Sequence, residues 1–556
     1  MGVPRLFPFT TQTFPKAVKH FQHGEHHTPV DYLLIDANGL LHAACQEVYH
    51  YGSNTSVIDR YEGLSDKAKL RKVCEMFFEY IRQIVTMITP AKVLFIALDG
   101  PAPLAKQSQQ RQRRFIAARS RADAAFDSNS ITPGTLFMHE VTKFMNHAIR
   151  REINGRFTWR SFKVRFSPCT VPGEGEHKLM DYVRGLSTSE RTSRFCMFGP
   201  DGDLIMLTLA THVSNMLLFR EDQYQFGFFH LLDMGLIRRQ LLSLFPPVHG
   251  RGLDDAINDF VFLGFFVGND FLPKVQMFYY LEEGLEMMMR TYTPLIRAGS
   301  FVTANGKVHL PGIKAFIAAV AQFEVEYVQK QASVTPAEPM FRNETLLRNV
   351  KGGVLDMKGY RKEYYAKANA HDEETIGRMC RDYFRTLVWI FEYYIHGLPA
   401  WRWIYPWHYA PLLTDLARVL DDLTDVEVQD LITFSLEEPS PPFVQLLSVL
   451  PLTSSVLLPP PYRSLMQSGP LAEIYPSTFI VDYEGKIKEH MGVALLPFVD
   501  YNVVYRAYRS VRSKVANDPY HRNKFGTDSV FSYDENYTAK YTSDYGTISN
   551  MKVRKE

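Results

Sequence analysis

Three short apolar runs, each followed by an acidic residue, constrain the fold of this chain more than any other feature. They are residues 32–35 before Asp36, residues 93–98 before Asp99, and residues 195–198 shortly before Asp201. Short apolar runs that end in turns are typical of strands buried inside a parallel sheet. Between the first two runs, residues 65–88 carry apolar side chains at helical spacing behind Ser65, a favourable N-cap. The pattern predicts a β-α-β unit, and hence an α/β fold with a mainly parallel twisted sheet flanked by helices.

The acids that end these runs define a candidate site. In open α/β sheets, ligands and catalytic groups collect beyond the carboxyl ends of the strands. Asp36, Asp99 and Asp201 would emerge there. We therefore expect these three carboxylates to share one rim of the sheet.

Length, charge and cysteine usage set the outer limits. A chain of 556 residues, 46% of them hydrophobic, can bury a large core and carry a second region. The net charge of +2 means that any affinity for nucleic acid must come from a local basic patch. Five scattered cysteines without a C-x-x-C pair disfavour a disulfide framework or a structural zinc site, and fit a reduced, intracellular protein. The N-terminus lacks an apolar signal core, and the longest apolar run, residues 260–267, is too short to cross a bilayer, so we expect no membrane attachment.

Further acids stand beside glycines or after apolar runs. Glu174 and Glu176 begin a helical pattern, Asp203 follows Asp201 by two residues, and Asp270 ends the turn after an apolar helix at 257–267. Each alone has an ordinary explanation, because acids are favoured at helix N-termini and Asp is common in turns. Their recurrence at several strand ends favours a common site.

Seven acids in one place require cations. Converging carboxylates repel each other unless positive charge neutralises them. Ligand sets made only of oxygen suit Mg²⁺ or Mn²⁺ better than zinc. Two such ions about 3.5–4 Å apart can generate the attacking hydroxide and stabilise the leaving oxygen of a phosphodiester. The acids therefore predict phosphodiester hydrolysis with two divalent ions.

A basic stretch at residues 105–126 follows soon after Asp99 and has a helical pattern. One face of this helix would carry Lys106, Gln110, Arg113 and Arg114. These side chains offer positive charge and forked donors to a phosphate. The alternative is a solvated basic face or a general contact to a nucleic-acid backbone. Because the helix begins close to the predicted acid rim, we expect it to bind a terminal phosphate.

Aromatic side chains provide candidate platforms for nucleobases. His42 follows Asp36 by one or two helical turns and could stack on a base. Trp401 and Trp403 belong to an aromatic cluster in the second half of the chain. In such positions a His is more often an ordinary helix residue, and a Trp is more often part of a core.

Taken in order, these motifs resemble the Xrn-type 5′→3′ exoribonucleases, whose catalytic core belongs to the flap-endonuclease superfamily and has a PIN/flap-nuclease-like sheet. The shared motifs are residues 1–4, 36–39 with His42, 99–115, 126–135, 171–178, 201–207, 267–273, 401–411, 449–451 and 496–500. They cover the chain to about residue 534.

The resemblance implies an activity and a set of roles. The activity is processive 5′→3′ hydrolysis of single-stranded RNA with a 5′-monophosphate, releasing nucleoside 5′-monophosphates. The metal-binding, catalytic acids are Asp36, Asp99, Glu174, Glu176, Asp201, Asp203 and Asp270. The 5′-monophosphate pocket is formed by Lys106, Gln110, Arg113 and Arg114, and His42 sandwiches the terminal bases with either Trp401 or Trp403.

The resemblance also divides the chain. We expect an N-terminal nuclease core with the metal site and phosphate pocket at 1–290 and a variable connecting segment at 291–375. A second, mostly helical region at 376–516 would pack around the active site and complete it. The polar tail at 517–556 should pack loosely or wrap the body.

The sequence departs from the family pattern in some places, and other classes of protein remain as alternatives. Pro101 and Leu104 replace the Val and Arg usual in the family. We expect the protein to lack the additional C-terminal domains of cytoplasmic relatives and the zinc knuckle of some nuclear ones. We expect a compact intracellular member, in the cytoplasm or alternatively in the nucleus or associated with a virus, with decapping or RNA-decay proteins as candidate partners. A structure-specific endonuclease or DNA exonuclease of the same superfamily and a non-catalytic RNA-binding scaffold are the alternatives.

Overall fold

The computed structural model describes residues 6–22, 24, 27–52, 58–119, 126–222, 225, 227–246, 248–515 and 521–556. Two parts of the predicted motifs, residues 1–4 and the end of the basic stretch at 120–125, lie outside the described residues.

The strands alternate with helices in the first half of the chain. The strands are β1 (Val18–Gln22), β2 (Thr28–Asp36), β3 (Ile88–Ala97), β4 (Lys163–Ser167), β5 (Phe195–Phe198), β6 (Met216–Glu221), β7 (Phe228–Asp233), β8 (Thr303–Ala304), β9 (Lys307–Val308), β10 (Val350–Lys351), β11 (Val354–Leu355), β12 (Val481–Asp482), β13 (Val493–Ala494), β14 (Ser529–Tyr533), β15 (Ala539–Ser543), β16 (Gly546–Met551) and β17 (Val553–Lys555). The helices are α1 (Leu6–Thr13), α2 (Asn38–Val48), α3 (Asp66–Met87), α4 (Leu104–Arg119), α5 (Leu136–Gly155), α6 (Gly175–Gly185), α7 (Asp203–Ala210), α8 (Met234–Leu241), α9 (Leu253–Gly264), α10 (Leu281–Arg297), α11 (Leu310–Ala321), α12 (Glu324–Gln331), α13 (Glu344–Arg348), α14 (Met357–Lys367), α15 (Glu373–Ile395), α16 (Leu413–Asp422), α17 (Asp425–Ile432), α18 (Pro442–Val449), α19 (Pro460–Gln467) and α20 (Tyr501–Val511).

The central sheet has the order β1-β7-β6-β5-β2-β3-β4-β14-β17 in the described chain. Its middle strands, from β6 to β4, are mutually parallel, and antiparallel strands extend both edges. The chain runs outward from β2 through β3 and β4, then returns to place β5 on the other side of β2. The strand order therefore reverses between β2 and β5, where open sheets bind ligands. The predicted α/β class and parallel sheet are confirmed.

The β-α-β unit forms as its sequence predicts. The Ser65 hydroxyl accepts a hydrogen bond from the Ala68 amide and caps α3. Helix α3 turns Val73, Phe77 and Ile81 into the core, where they pack with side chains from one face of the sheet. The predicted helix, which joins β2 to β3, is thereby fixed against the sheet that positions the acids.

The second half of the described chain is mostly helical and shares a core with the sheet. Buried side chains of α15, such as Phe384 and Phe391, lie in the same apolar cluster as Leu34 of β2 and Met197 of β5. A separate cluster joins α4 to α18 and α20 through Leu104 and its neighbours. The predicted helical region thus packs directly on the sheet and on the basic helix.

The C-terminal tail differs from the expectation of loose packing. Strand β14 pairs antiparallel with β4, and β17 pairs with β14, so both become part of the central sheet. Phe531, Met551 and Val553 are buried among polar neighbours and attach these strands to the core. These strands fit the other expectation, that the tail wraps the body, because their apolar side chains join the core beneath the sheet.

All five cysteines are buried and free. Among the described residues, none of the helices is both long enough and apolar enough to cross a membrane.

Candidate metal and phosphate site

Asp36 and Asp99 meet at the start of helix α6. Asp36 ends β2 and Asp99 follows β3. A Cβ atom at Gly175 would lie 2.6 Å from Asp36 Oδ1 and 3.3 Å from Asp99 Oδ1. Only glycine leaves room for both carboxylates there. The structure therefore brings together two of the acids predicted to share the rim.

Asp99 is held by hydrogen bonds from two directions. The Gly175 amide donates to Asp99 Oδ1 at 2.6 Å, and the Asn38 side-chain amide donates to Asp99 Oδ2 at 2.6 Å. The Asp99 amide in turn donates to Asn38 Oδ1 at 3.1 Å. Asn38 begins α2, so this reciprocal pair ties the first turn of α2 to the end of β3.

Glu174 stands at the N-cap of α6 and is almost fully buried. Its Oε2 lies 2.6 Å from Lys106 Nζ, and its Oε1 accepts a hydrogen bond from the Tyr393 hydroxyl at 3.1 Å. The Tyr393 ring stacks on His177, with 3.6 Å between ring centroids. Burial lowers the pKa of His177 well below its usual value, so this imidazole is neutral. Helix α15 of the second region thereby fixes a carboxylate of the first.

Lys106 bridges two of the predicted acids. Its ammonium lies 2.8 Å from Asp270 Oδ2 as well as 2.6 Å from Glu174 Oε2. Burial disfavours the charge of Lys106, but Asp270, Glu174 and Glu176 together raise its pKa well above the ordinary value. Burial likewise favours protonation of Asp270, yet the ammonium prevails and holds the pKa of Asp270 below its usual range. The site therefore contains a protonated lysine among its carboxylates.

Two acids keep carboxylate oxygens without a protein partner. Asp36 Oδ1 and Glu176 Oε2 are buried and accept no hydrogen bond. Burial raises the pKa of Asp36 well above its usual value, and Asp99 and Asp201 add to this effect. Burial also raises the pKa of Glu176 well above its usual value, with Glu174, Asp201 and Asp203 contributing. All seven acids are thus linked by proximity, charge or a shared ammonium.

The donor set fits divalent cations. Buried carboxylate oxygens without partners are costly unless a cation or proton satisfies them. Because the groups are oxygens, hard ions such as Mg²⁺ or Mn²⁺ suit them. Within the described ranges, however, no three of these side chains stand close enough to ligate one ion as they are. Lys106 and Asn38 occupy carboxylate oxygens that an ion would use, so binding requires these acids to exchange partners.

The four side chains predicted to hold a phosphate lie on α4 but differ in their surroundings. Lys106 lies on the acids, as described above. Gln110 Oε1 accepts a hydrogen bond from Gln445 of α18 at 3.4 Å. Arg113 is exposed. Arg114 Nη1 is buried with no partner, and burial lowers the pKa of Arg114 to about 10, against the opposing charges of Asp127 and Asp99.

The two candidate tryptophans have different roles in packing. The indole N–H of Trp403 donates to Thr386 of α15 at 3.1 Å, and its ring packs against the main core. Trp401 lies outside that core, and its carbonyl accepts from Leu104 at the start of α4 at 2.9 Å. His42 projects from α2 and is exposed. Trp401 is therefore the tryptophan that borders the basic helix.

Sequence reasoning missed Tyr393 and the position of Lys106. Tyr393 sits in a helix full of aromatic residues. Nothing in its sequence context distinguishes it from the others as the residue that bonds Glu174. The helical spacing of Lys106 showed which face it shares with Arg113 and Arg114. Only the structure shows that Lys106, the first residue of this face, contacts the carboxylates of Glu174 and Asp270.

A doubly wound parallel sheet with carboxylates gathered at its switch point, beside a cationic helix, defines an α/β protein with an acidic, oxygen-only centre. Family comparison narrows this class. Residues 1–222 match the model of the XRN 5′-3′ exonuclease N-terminus, and residues 251–351 and 349–555 match the Xrn1 helical domain. The chain belongs to the Xrn 5′-3′ exonuclease family.

Curated relatives agree with this assignment. The chain is 28% identical to 5′-3′ exoribonuclease 1 of Homo sapiens over 98% of its own length and 36% of that protein. It is 26% identical to 5′-3′ exoribonuclease 1 of Saccharomyces cerevisiae over 99% of its length and 46% of the relative. With 5′-3′ exoribonuclease 2 of Arabidopsis thaliana it shares 29% identity, covering 90% of this chain and 64% of the relative. The chain thus spans between about a third and two thirds of the length of these three relatives.

Proposed function

We propose that this protein is a processive 5′→3′ exoribonuclease that hydrolyses single-stranded, 5′-monophosphorylated RNA to nucleoside 5′-monophosphates. Family membership and the names of the relatives support exonuclease activity on RNA. The acid centre supports hydrolysis assisted by divalent cations.

One observation carries the proposal: the cationic helix α4 begins at the acids. Lys106, on its first turn, contacts Glu174 and Asp270 directly, at 2.6 and 2.8 Å. Arg114, two turns further along the same face, keeps a buried donor unpaired. A phosphate bound to this face would lie next to the cleavage site. A donor cluster that close to the acids favours recognition of a chain end over recognition of an internal position.

We assign the chemistry to the following groups. Mg²⁺ or Mn²⁺, two ions in our proposal, would supply the activated water and the stabilisation of the leaving oxygen. Their ligands would come from Asp36, Asp99, Glu174, Glu176, Asp201, Asp203 and Asp270. Gln110, Arg113 and Arg114 would hold the 5′-monophosphate, joined by Lys106 once its ammonium leaves the acids. Forked guanidinium donors suit a phosphate monoester.

End selection and processivity follow from this arrangement. A cap is too large for a pocket closed behind one phosphate, and a triphosphate carries more charge and length than the donors can match. Each cleavage leaves the shortened RNA with a new 5′-monophosphate, the group that the pocket holds. Stacking of the terminal bases between His42 and Trp401 would keep the strand in place between cycles.

The test compares one RNA with three different 5′ ends. The full chain and Mg²⁺ are incubated with RNA carrying a 5′-monophosphate, triphosphate or cap, and products are separated by size. We expect mononucleotides from the monophosphate RNA, without a ladder of intermediates even when unlabelled competitor RNA is added after binding. An Asp201→Ala, Asp203→Ala double variant should release none.

A matched pair of arginine variants tests the pocket. Arg114→Met removes the unpaired donor, whereas Arg119→Met removes an exposed arginine near the end of the same helix. Only the first should lose the preference for the monophosphate end. Internal cuts, or equal degradation of all three RNAs by the unmodified protein, would refute the end pocket and favour a structure-specific endonuclease. An RNA that binds but is never cut would favour a scaffold.

A further inference from the structure

A cavity of about 660 Å³ opens beside the acids and against α4, where its lining includes Arg113 of the proposed phosphate pocket but not Lys106, Gln110 or Arg114. Its walls come from the neighbouring face of α4 and from segments 267–280, 404–409 and 486–493. Asp201 and Asp270 line one end, so the cavity is continuous with the candidate catalytic centre. Cavities of roughly 300–1,000 Å³ hold one small ligand. An RNA strand instead needs a groove for about four or more nucleotides.

The charges of the cavity favour an anion. Its described lining includes five Lys or Arg side chains and three Asp. Two of those acids already have partners, because Asp222 lies 2.8 Å from His230 Nε2 and Asp270 is held by Lys106. The described lining therefore carries more positive than negative charge.

Two lysines face the cavity without an ion-pair partner. Lys274 donates one hydrogen bond, to the Tyr279 carbonyl at 3.2 Å. Among the described residues, no hydrogen bond or ion pair involves the ammonium of Lys486. The acid that favours its charge, Asp482, is paired with Lys367 at 2.8 Å. Burial, reinforced by the charge of Lys486, lowers the pKa of Lys274 to about 7. Both ammonium groups would be stabilised by a bound phosphate.

Buried donors without partners line the same cavity. They are Gln109 Nε2, Asn269 Nδ2, and Nε and Nη1 of Arg220, whose side chain is only 4% exposed. Groups of this kind are costly to bury unless a ligand or water accepts their hydrogen bonds. The orphaned groups are mainly donors, which calls for a ligand rich in acceptors.

Aromatic surfaces complete the site. The ring of Phe498 stacks on His408 at 4.5 Å, and the Tyr279 ring lies 5.4 Å from Lys274 Nζ. All of these side chains line the cavity. Flat rings next to cations suit a ligand that has both a base and a phosphate.

We propose that this cavity binds a nucleoside 5′-monophosphate, with its phosphate on Lys274 and Lys486 and its base against the aromatic wall. This site shares Arg113 with the 5′-end pocket but holds the phosphate with different cations. Two sources can supply the ligand: the mononucleotide released at the adjoining acids, or free nucleotide from solution. The first source rests on the proposed exonuclease function, and the binding site itself does not.

Direct binding tests the site without any cleavage. Adenosine 5′-monophosphate is titrated by calorimetry into the full chain in EDTA, with adenosine as the ligand lacking phosphate. A Lys274→Met, Lys486→Met double variant should bind the nucleotide at least about tenfold more weakly, because bonds from charged donors to phosphate are the strong ones. A Lys358→Met variant makes the same kind of charge change on an exposed residue outside the cavity and should bind as the unmodified protein does.

Photo-crosslinking covers the case in which the double variant misfolds. 8-Azidoadenosine 5′-monophosphate bound to the unmodified chain should label peptides from 267–280 or 486–493. Labelling confined to α2 or to the Arg114 end of α4, or a double variant of unchanged affinity, would overturn the proposal.

Kinetics separate the two sources. If the ligand is the released product, the double variant should change the ratio of the steady-state rate to the single-turnover rate on RNA. If free nucleotide is the ligand, binding is weakened and this ratio stays as in the unmodified protein. A third result is that the unmodified chain binds adenosine 5′-monophosphate, loses that binding in the double variant, and yet cuts no RNA. This result would uphold the binding site and refute the exonuclease proposal.

Discussion

Replacing Lys106 by methionine tests whether its ammonium occupies the place of a metal ion. The side chain is 14% exposed, and the carboxylates it joins are 3% and 7% exposed. Removing one partner of a buried charge pair costs about 3–5 kcal/mol, since the remaining charges stay buried without compensation. Unfolding entropy is about 2.1 cal/mol/K per residue, so a chain of this length gains about 1.2 kcal/mol/K on unfolding. We therefore expect Tm in EDTA to fall by about 3–4 °C.

Divalent cations should reverse this loss. In the unmodified protein an incoming ion must first displace the ammonium from Glu174 and Asp270, whereas in Lys106→Met neither carboxylate is held by an ammonium. If the variant binds Mg²⁺ tenfold more tightly, saturating Mg²⁺ adds about 1.4 kcal/mol more stabilisation to it than to the parent. Differential scanning calorimetry with EDTA and with a Mg²⁺ series measures both effects. The difference in Tm between the two proteins should shrink as Mg²⁺ rises.

Lys143→Met is the matched control. Lys143 pairs with Glu140 and with Asp544, which is 69% exposed. Such surface pairs contribute about 0–1 kcal/mol, so its loss should change Tm little and leave the response to Mg²⁺ unchanged. A difference in Tm between Lys106→Met and the parent that stays constant across the Mg²⁺ series would refute competition between ammonium and metal.

Three further substitutions probe the same site. Gly175→Ala places a Cβ 2.6 Å from a carboxylate oxygen and should abolish RNA cleavage. Gly185→Ala, at the other end of the same helix with open space around it, should retain RNA cleavage in the same assay. Tyr393→Phe removes a buried hydrogen bond to the α6 N-cap carboxylate and should cost about 1.5–3 kcal/mol in urea unfolding; an unchanged midpoint would show that the bond is not formed. Trp401→Ala should weaken binding of single-stranded RNA with little change in Tm, and Trp403→Ala should do the reverse; equal effects in both measurements would contradict the separation of their roles.

The sequence predicted the sheet well because each strand carries a local signal. The run at 195–198 coincides with β5, and the cap at Ser65 places the start of α3 within one residue. Asp36, Asp99 and Asp201 could be grouped because parallel strands end on the same edge, which is a property of the fold class and needs no knowledge of side-chain packing.

Contacts between residues far apart in the sequence could not be predicted from local sequence patterns. The place of Lys106 depends on the turn after Asp99 and on the 268–270 loop, which are separated by about 170 residues of sequence. The strands of the C-terminal tail could be predicted only with knowledge of the strand they pair with. Nothing in the sequence of β4 indicates that β14 pairs with it. Tyr393 could not be distinguished from the tyrosine beside it, because both are buried and only their direction differs.

The pairing of β14 with β4 sets an order of events during synthesis. Arg165 of β4 bonds Asp528, just before β14, across 363 residues of chain. At about 5–20 residues per second, a ribosome needs roughly 20–70 s to make the intervening polypeptide. Throughout that interval β4 is an open edge, able to pair with other nascent chains. The half of the protein that holds the acids is translated first but closes its sheet last, so chaperones have a defined strand to protect.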